Sequence, residues 1–387
     1  MNIYALLISG IFSGIVLSFL LTKEVIKKVI QCGIVDHPRE DRFHSETTAL
    51  MGGISIHYAF ILLLTLFNRI DWIPGLVLIL GVGAANYFIL KKMRKQFIIT
   101  SMAVILSYAI LILLIHPSWD GIRMKFQWFV LGMEVLYFTG SYDDGFKPVT
   151  PLLKLGLQII AALCLTIGKK TITFLPAPYH YFATVIWMTA IINSFNLIDN
   201  MNGLSSGIGA ICALFFGLIS LYNGQVLYHG FICLTFFGIL VGFLPFNFPK
   251  AKIFMGDCGS LILGYFFAAI SVLGSWKTSD FSISIIIPVL VLSYPIFDVV
   301  LVVINRVRAG KPIYLGGKDH SSHRLVRLGL QPADSVLFLW FVAFYTGFSA
   351  FFLTMIDYKQ ALKMLFFIAA FFILLGIRLS RVEELEN

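Results

Sequence analysis

A chain of 387 residues, 58% hydrophobic and only 13% charged, falls well short of the roughly 25% charge of soluble domains, which excludes a soluble fold and makes lipid the solvent for most of it. The net charge of +9 would suggest nucleic acid in a soluble protein. Here the basic residues lie in short gaps between apolar runs, so they report membrane orientation and no nucleic-acid partner.

Apolar runs close to the roughly 17–25 residues a spanning helix needs fall near 3–21, 52–67, 73–90, 96–115, 126–140, 151–168, 181–198, 204–222, 226–246, 259–275, 283–305, 333–355 and 360–378. The first has no basic residue before it and no small-residue cleavage site after it, and reads as a retained helix. Without a repeat or a Pro- or Ser-rich linker, residues 1–387 are expected to form one all-α polytopic membrane domain of about 11–13 transmembrane helices. Five cysteines, Cys32, Cys164, Cys212, Cys233 and Cys258, form no C-x-x-C pair, which argues against disulfides and zinc. With the N-terminus outside, the interior gaps hold about 21 of the 29 Lys and Arg, as the positive-inside rule requires. The same parity puts 23–50, Asp143-Asp144, Asp199, Asp257 and 306–332 on one membrane side.

Four polar segments interrupt the apolar text on that side. The first is Gly140-Ser141-Tyr142-Asp143-Asp144-Gly145-Phe146-Lys147, with Lys154 and Gln158 on the next helix. Adjacent carboxylates ionise together only beside cations, which Lys147 and Lys154 supply. The pair suits a general base or a phosphate-orienting role, or simply an acidic turn before the next helix. In the second segment, Asn193 to Leu204, Asn193, Asn196 and Asn200 recur at helical spacing with Asp199 close by. Buried amides need partners, and a nucleotide, a metal shell or a neighbouring helix would provide them.

The third segment, Phe254-Met255-Gly256-Asp257-Cys258-Gly259-Ser260, opens the 259–275 run. Its helix N-terminus offers N–H groups to phosphate, Asp257 is a hard oxygen ligand for magnesium, and Phe254 is placed to stack on a base; equally, Gly-Asp-x-Gly-Ser is a good helix start. The fourth, Lys318-Asp319-His320-Ser321-Ser322-His323-Arg324-Leu325, sits in a basic loop from Arg306 that suits either a diphosphate or anionic lipid. Asp298 is an intramembrane acid about two turns before Arg306, expected to orient the loop through a basic partner.

In this order the segments resemble the polyprenyl-phosphate N-acetylhexosamine-1-phosphate transferases, the family of the phospho-MurNAc-pentapeptide translocase and the GlcNAc-1-phosphate transferases. The resemblance spans 36–330 and includes Asp36-x-Pro38-Arg39 with Arg42, His44 and Gly52-Gly53, similar to the family's entry motif. It implies that Asp143 and Asp144 bind or deprotonate the lipid phosphate, with Lys147 and Lys154 binding phosphate. Asp257 would ligate magnesium, or manganese in its place, with Asn196 as neighbour; Phe254 would stack on uracil, while Asn193, Asp199 and Asn202 meet the nucleoside side of the donor. His320, His323 and Arg324 would read the sugar phosphate. The implied substrates are a UDP-N-acetylhexosamine and a polyprenyl phosphate, in a bilayer, with a homodimer as one arrangement.

Three features depart from the family pattern. Asn200 stands where the family commonly has Gly, Ser322 stands where it has a second loop histidine, and an extra helix pair fits between Gly53 and Asp143, at 73–115. The His320-Ser321-Ser322-His323 loop resembles the GlcNAc branch more than the MurNAc-pentapeptide branch, which makes UDP-GlcNAc the first expected donor and another UDP-N-acetylamino sugar the alternative. A transporter is the competing class, since intramembrane acids also mark ion paths, but no inverted repeat supports it.

Overall fold

A computed structural model describes residues 3–37, 47–115, 122–168, 171–172, 175–274, 276, 281–312 and 317–382. Pro38, Arg39, Arg42 and His44 of the entry motif lie outside them. Each expected apolar run is helical. In chain order the helices are α1 (Ile3–Gln31), α2 (Gly53–Leu66), α3 (Trp72–Leu90), α4 (Arg94–Ile115), α5 (Ile122–Gly145), α6 (Pro151–Ile167), α7 (Tyr179–Ile198) and α8 (Leu204–Tyr222). After a π-helical turn (Val226–Gly230) come α9 (Phe231–Asn247), α10 (Asp257–Leu273), α11 (Phe281–Val291), α12 (Ser293–Arg308), the short α13 (Ser321–Arg327), α14 (Pro332–Leu353) and α15 (Tyr358–Ser380).

By length and composition eight of these described helices can each cross a membrane, or nine if the bent pair α11–α12 counts as one span. Three others are apolar but short: α2 has 14 residues, α6 and α10 have 17 each. At 1.5 Å per residue, 17 residues cover about 25 Å, less than the roughly 30 Å of the hydrocarbon core. Protein rather than lipid surrounds α10, which is buried along nearly its whole length and packs on α2, α5, α7 and α8.

Local sequence explains the principal contacts. Helix α1 presents Gly10, Gly14 and Ser18 to α9, which answers with Gly238 and Gly242; a Cβ at Gly14 would lie 2.8 Å from the Thr235 carbonyl oxygen. Small residues permit this backbone approach where lipid gives no hydrophobic drive. Thr22 adds a hydroxyl bond to Ser55 on α2, 2.9 Å.

Two boundaries differ from the sequence expectation. Helix α1 runs ten residues past 21, so Lys23, Lys27 and Lys28 ride on its last turns, where cations suit the helix dipole. The 283–305 run is broken at Leu292, with its halves bent by 73°. Pro295 has no N–H for the Val291 carbonyl, and that oxygen accepts from Cys212 Sγ at 3.2 Å instead.

Candidate functional site

Two glycines and a pair of two-residue strands assemble the site's floor. Val35–Asp36 (β1) pairs antiparallel with Thr48–Ala49 (β2), and the Ala49 carbonyl accepts from the Phe254 amide at 2.8 Å. The amides of Gly52 and Gly53 then donate to the carbonyls of Phe254 and Met255, at 2.8 and 2.9 Å. The Gly52-Gly53 pair of the entry motif thus docks the segment leading into α10, and Gly53 lies against the Cys258–Gly259 backbone so closely that no side chain fits.

On that floor α5 delivers Asp144 to the N-terminus of α10. Its two carboxylate oxygens accept from the amides of Asp257 and Cys258, both at 3.0 Å, so Asp144 satisfies two N–H groups that a helix start leaves unpaired. Gly256, at φ +72° and ψ 176°, adopts a conformation open to glycine, and a Cβ there would lie 2.5 Å from Asp144 Oδ2. The adjacent Asp143 accepts from the Val149 amide at 2.5 Å. The sequence expectation split these acids between a lipid-phosphate pair and a metal ligand. The structure brings Asp143, Asp144 and Asp257 together, with one oxygen of each within 4.8 Å of the others. Three hard oxygen donors at this separation are the chemistry magnesium or manganese takes.

Helices α6 and α7 hold Asp257 from the other side. Asn196 donates its amide to Asp257 Oδ1 at 2.8 Å and to Ser260 Oγ at 2.9 Å, while the Lys154 ammonium contacts Asp257 Oδ2 and stands 3.6 Å from Asp143. Asn193 is one turn away on α7, and it exchanges bonds with Gln158 of α6 at 2.8 and 3.2 Å. Gln158 is one turn after Lys154. A reciprocal amide pair therefore fixes the two helices that grip Asp257, and Asn193, expected at the nucleoside, makes a helix-to-helix bond.

The histidine segment is built around Asp298. Fully buried, it accepts from His320 Nδ1 at 2.6 Å and from the Ser321 amide and hydroxyl at 2.7 and 2.6 Å. The basic partner expected for Asp298 is thus His320. Arg306 pairs instead with Asp319, at 2.5 and 2.7 Å. Burial opposes charge on Asp319, but the Arg306 bond and charge outweigh it and hold the carboxyl below its ordinary value. Burial likewise opposes the His320 cation, yet Asp298 outweighs it and raises the imidazole above its usual range. For His323, burial and then the His320 charge act together and push it down to about 4. The two rings, 6.2 Å apart, are thus shifted in opposite directions, His320 towards its charged form and His323 towards its neutral one.

Arg324 departs from expectation. Its guanidinium is buried and bonds the carbonyls of Asp319, Leu379 and Val382, so it ties α13 to the end of α15 and is spent on backbone rather than turned to a phosphate. Lys147 is exposed beyond α5 and makes none of the contacts that hold Lys154. Asp199 and Phe254 are half-buried at the same end of the bundle, and Asn202 donates to the Pro249 carbonyl at 3.1 Å.

Sequence reading missed Asn247. Its carboxamide accepts from the Gly203 amide (3.1 Å) and the Ser206 hydroxyl (2.8 Å) and donates to the Ile253 carbonyl (2.9 Å), binding the start of α8 to the segment before Asp257. A lone carboxamide closing the apolar α9 was the available signal.

The chain is similar in sequence to several known proteins. Glycosyl transferase family 4 matches residues 126–275, from α5 through α10 and thus across all three clustered carboxylates. The chain is 28% identical over 344 residues to the probable undecaprenyl-phosphate N-acetylglucosaminyl 1-phosphate transferase of Bacillus subtilis (strain 168), covering 86% of this chain and 81% of that protein. It is 27% identical to the decaprenyl-phosphate N-acetylglucosaminephosphotransferase of Mycobacterium tuberculosis, with coverage of 87% and 81%. A phospho-N-acetylmuramoyl-pentapeptide-transferase of Limosilactobacillus reuteri is 32% identical over 190 residues, 43% of this chain and 57% of that protein. The chain is thus similar, over its matched segment and over most of its length, to relatives named for both branches of the polyprenyl-phosphate N-acetylhexosamine-1-phosphate transferases, the family its motifs resemble.

Proposed function

We propose that this multi-pass membrane protein transfers N-acetylglucosamine 1-phosphate from UDP-N-acetylglucosamine to undecaprenyl phosphate and releases UMP. The reaction would occur at the cytoplasmic face of a bacterial inner membrane, as the first membrane step of a cell-envelope glycan. The coarser activity, sugar-1-phosphate transfer to a polyprenyl phosphate, is supported by the family resemblance and by the names of the relatives. The GlcNAc donor rests on the names of relatives at 27–28% identity and on the two-histidine loop, and another UDP-N-acetylamino sugar is the alternative.

The observation that carries the reading is the meeting of Asp143, Asp144 and Asp257 beside Lys154 and Asn196 at the end of the bundle where the basic gaps lie. Asp257, with Asp143 and Asp144, would hold magnesium or manganese, which when bound supplies positive charge against the donor diphosphate. The protein does the remaining positioning. Asn196 aims Asp257, and Lys154 offsets repulsion between two anionic reactants. Asp143 orients the lipid phosphate, which needs little deprotonation near neutral pH. Phe254 stacks on uracil, Asp199 and Asn202 border the nucleoside, and the His320 cation meets the charge that develops as an acceptor oxygen displaces UMP. Purified protein given UDP-GlcNAc, undecaprenyl phosphate and magnesium should release UMP and form a lipid-linked sugar diphosphate. Absence of UMP with every UDP-N-acetylamino sugar offered would overturn the proposal.

A further inference from the structure

Asp257 has two carboxylate oxygens, and both are occupied. Oδ1 accepts from Asn196 at 2.8 Å, and Oδ2 is in contact with the Lys154 ammonium. Asn196 is fixed by a second bond to Ser260, and its helix is fixed by the Asn193–Gln158 exchange, so Oδ1 is held in place. Lys154 is different. It reaches Asp257 on a flexible four-carbon stem, and it stands between Asp257 and Asp143, where the three carboxylates converge. Asp144 is committed to the α10 amides through both oxygens. A divalent cation bound directly at about 2.0–2.1 Å from Asp257 Oδ2 would share that oxygen with an ammonium, and two cations on one oxygen repel strongly in a half-buried site.

We propose that Lys154 is an exchangeable counter-ion: its ammonium holds the three-carboxylate cluster together in the metal-free protein, and a divalent cation on Asp257 releases it towards the anionic substrates. Metal loading and phosphate capture are then one coupled event, because the lysine becomes available to phosphate only when the carboxylates no longer need it. The inference rests on the metal reading above and deepens it. It also separates Lys154 from Lys147, which is exposed and pairs with no carboxylate among the described residues.

The coupling gives an opposite sign to the obvious alternative, in which Lys154 merely helps to build the metal site. Full-length protein in detergent, free of nucleotide and lipid phosphate, is titrated with Mn2+ alone, and free Mn2+ is read by electron paramagnetic resonance. Lys154→Met should bind Mn2+ at least about tenfold more tightly than wild type, since a competing positive charge is gone. Lys154→Arg, which keeps the charge, should bind no more tightly than wild type. In EDTA, Lys154→Met should melt below wild type, and Mn2+ should raise its Tm by more than it raises that of wild type. Equal or weaker Mn2+ binding by Lys154→Met overturns the exchange, whereas no Mn2+ binding by wild type overturns the metal reading itself. Should the methionine variant not fold, wild type still decides the matter. Acylation of Lys154 by an amine-directed reagent, followed by peptide mass spectrometry, should rise severalfold when Mn2+ is added while Lys147 stays constant, and an unchanged or lower Lys154 signal refutes the release.

Discussion

Replacing Asp298 by Asn changes one atom and tests whether the histidine segment is held by charge or by shape. The carboxylate accepts three hydrogen bonds, from His320 Nδ1 and from the amide and hydroxyl of Ser321, and it is fully buried. A carboxamide accepts through one oxygen only, so at least one buried donor loses its partner and the His320 cation loses its counter-charge. Removing one member of a buried pair costs about 3–5 kcal/mol, and the retained shape puts Asp298→Asn near the lower end. The pH dependence is more diagnostic than the size. His320 is raised above its ordinary 6.5 because Asp298 outweighs burial. The pair's stability is therefore fully present below the unfolded histidine pKa and is lost as pH rises through the higher folded value. Thermal melting of both proteins from about pH 5.5 to 9 should show a stability difference that is greatest in acid and shrinks towards the part carried by Ser321. In the same range the alkaline limb of kcat/KM for the UDP-sugar should move to lower pH in the variant, since the strongest influence opposing burial at His320 is gone and Asp319 alone still favours its charge. A stability difference independent of pH, with an unmoved limb, would refute a charged Asp298–His320 pair.

Asp257→Asn should fold but lose turnover, because a carboxamide is a poorer magnesium ligand, and wild type should be inactive in EDTA; activity in either case contradicts the metal assignment. Phe254→Ala should raise KM for the UDP-sugar about tenfold or more and leave that for the lipid nearly unchanged, since a stacked ring is worth about 1–3 kcal/mol. A parallel change in both constants would assign Phe254 to packing. Single cysteines replacing Lys92, Lys318 and Arg381 should be protected from impermeant reagent outside intact cells while one at Lys359 reacts, and the reverse pattern would invert the orientation. Ser322 donates to Asn200 at 2.9 Å, so Ser322→His should crowd Asn200 and cost about 1–3 kcal/mol. Adding Asn200→Gly should restore most of that loss, and a double variant no more stable than Ser322→His would show the positions to be uncoupled.

That last pair shows what kind of information the sequence holds. Asn200 and Ser322 each depart from the family pattern, and separately each weakens the reading of its own motif. They lie 122 residues apart, yet they touch. Asn with Ser carries the same number of side-chain heavy atoms as Gly with His, so two doubtful positions are one volume-conserving exchange. The helices were legible because apolar runs report lipid contact directly, and the acids and amides were legible because polar residues at membrane boundaries stand out against them. Partnerships were not. Asn193 and Asn196 share a helical face, but one bonds Gln158 of α6 and the other Asp257 of α10, because both helices pack on α7. Arg324 looked like a phosphate ligand because it follows His323 in a basic loop. Its carbonyl partners Leu379 and Val382 lie at the far end of the chain, beyond the reach of any local pattern.

The extra helix pair also acquires a physical role. Spacing alone suggested two additional helices at 73–115 and gave them no role. In the structure α3 and α4 pack on each other and against α5 within the same chain, and polar side chains mark the seam. Asn86 of α3 accepts from Tyr137 at 2.5 Å, Tyr108 of α4 bonds Gln127, and Gln127 donates to Asp71 at 3.1 Å. One turn below Tyr137, Glu134 meets His57 of α2 at 2.9 Å with both side chains fully buried, and the His57 ring stacks on Tyr137 at 3.8 Å. In lipid such groups are costly unless paired, so each bond resists any sliding or rotation of α5 that would break it. Helix α5 ends in Asp143 and Asp144, and a shift of one residue along its axis would move both carboxylates by about 1.5 Å, roughly half a hydrogen-bond length. A brace on α5 from Gln127 to Tyr137 therefore protects the alignment of Asp144 with the α10 amides, on which the position of Asp257 depends.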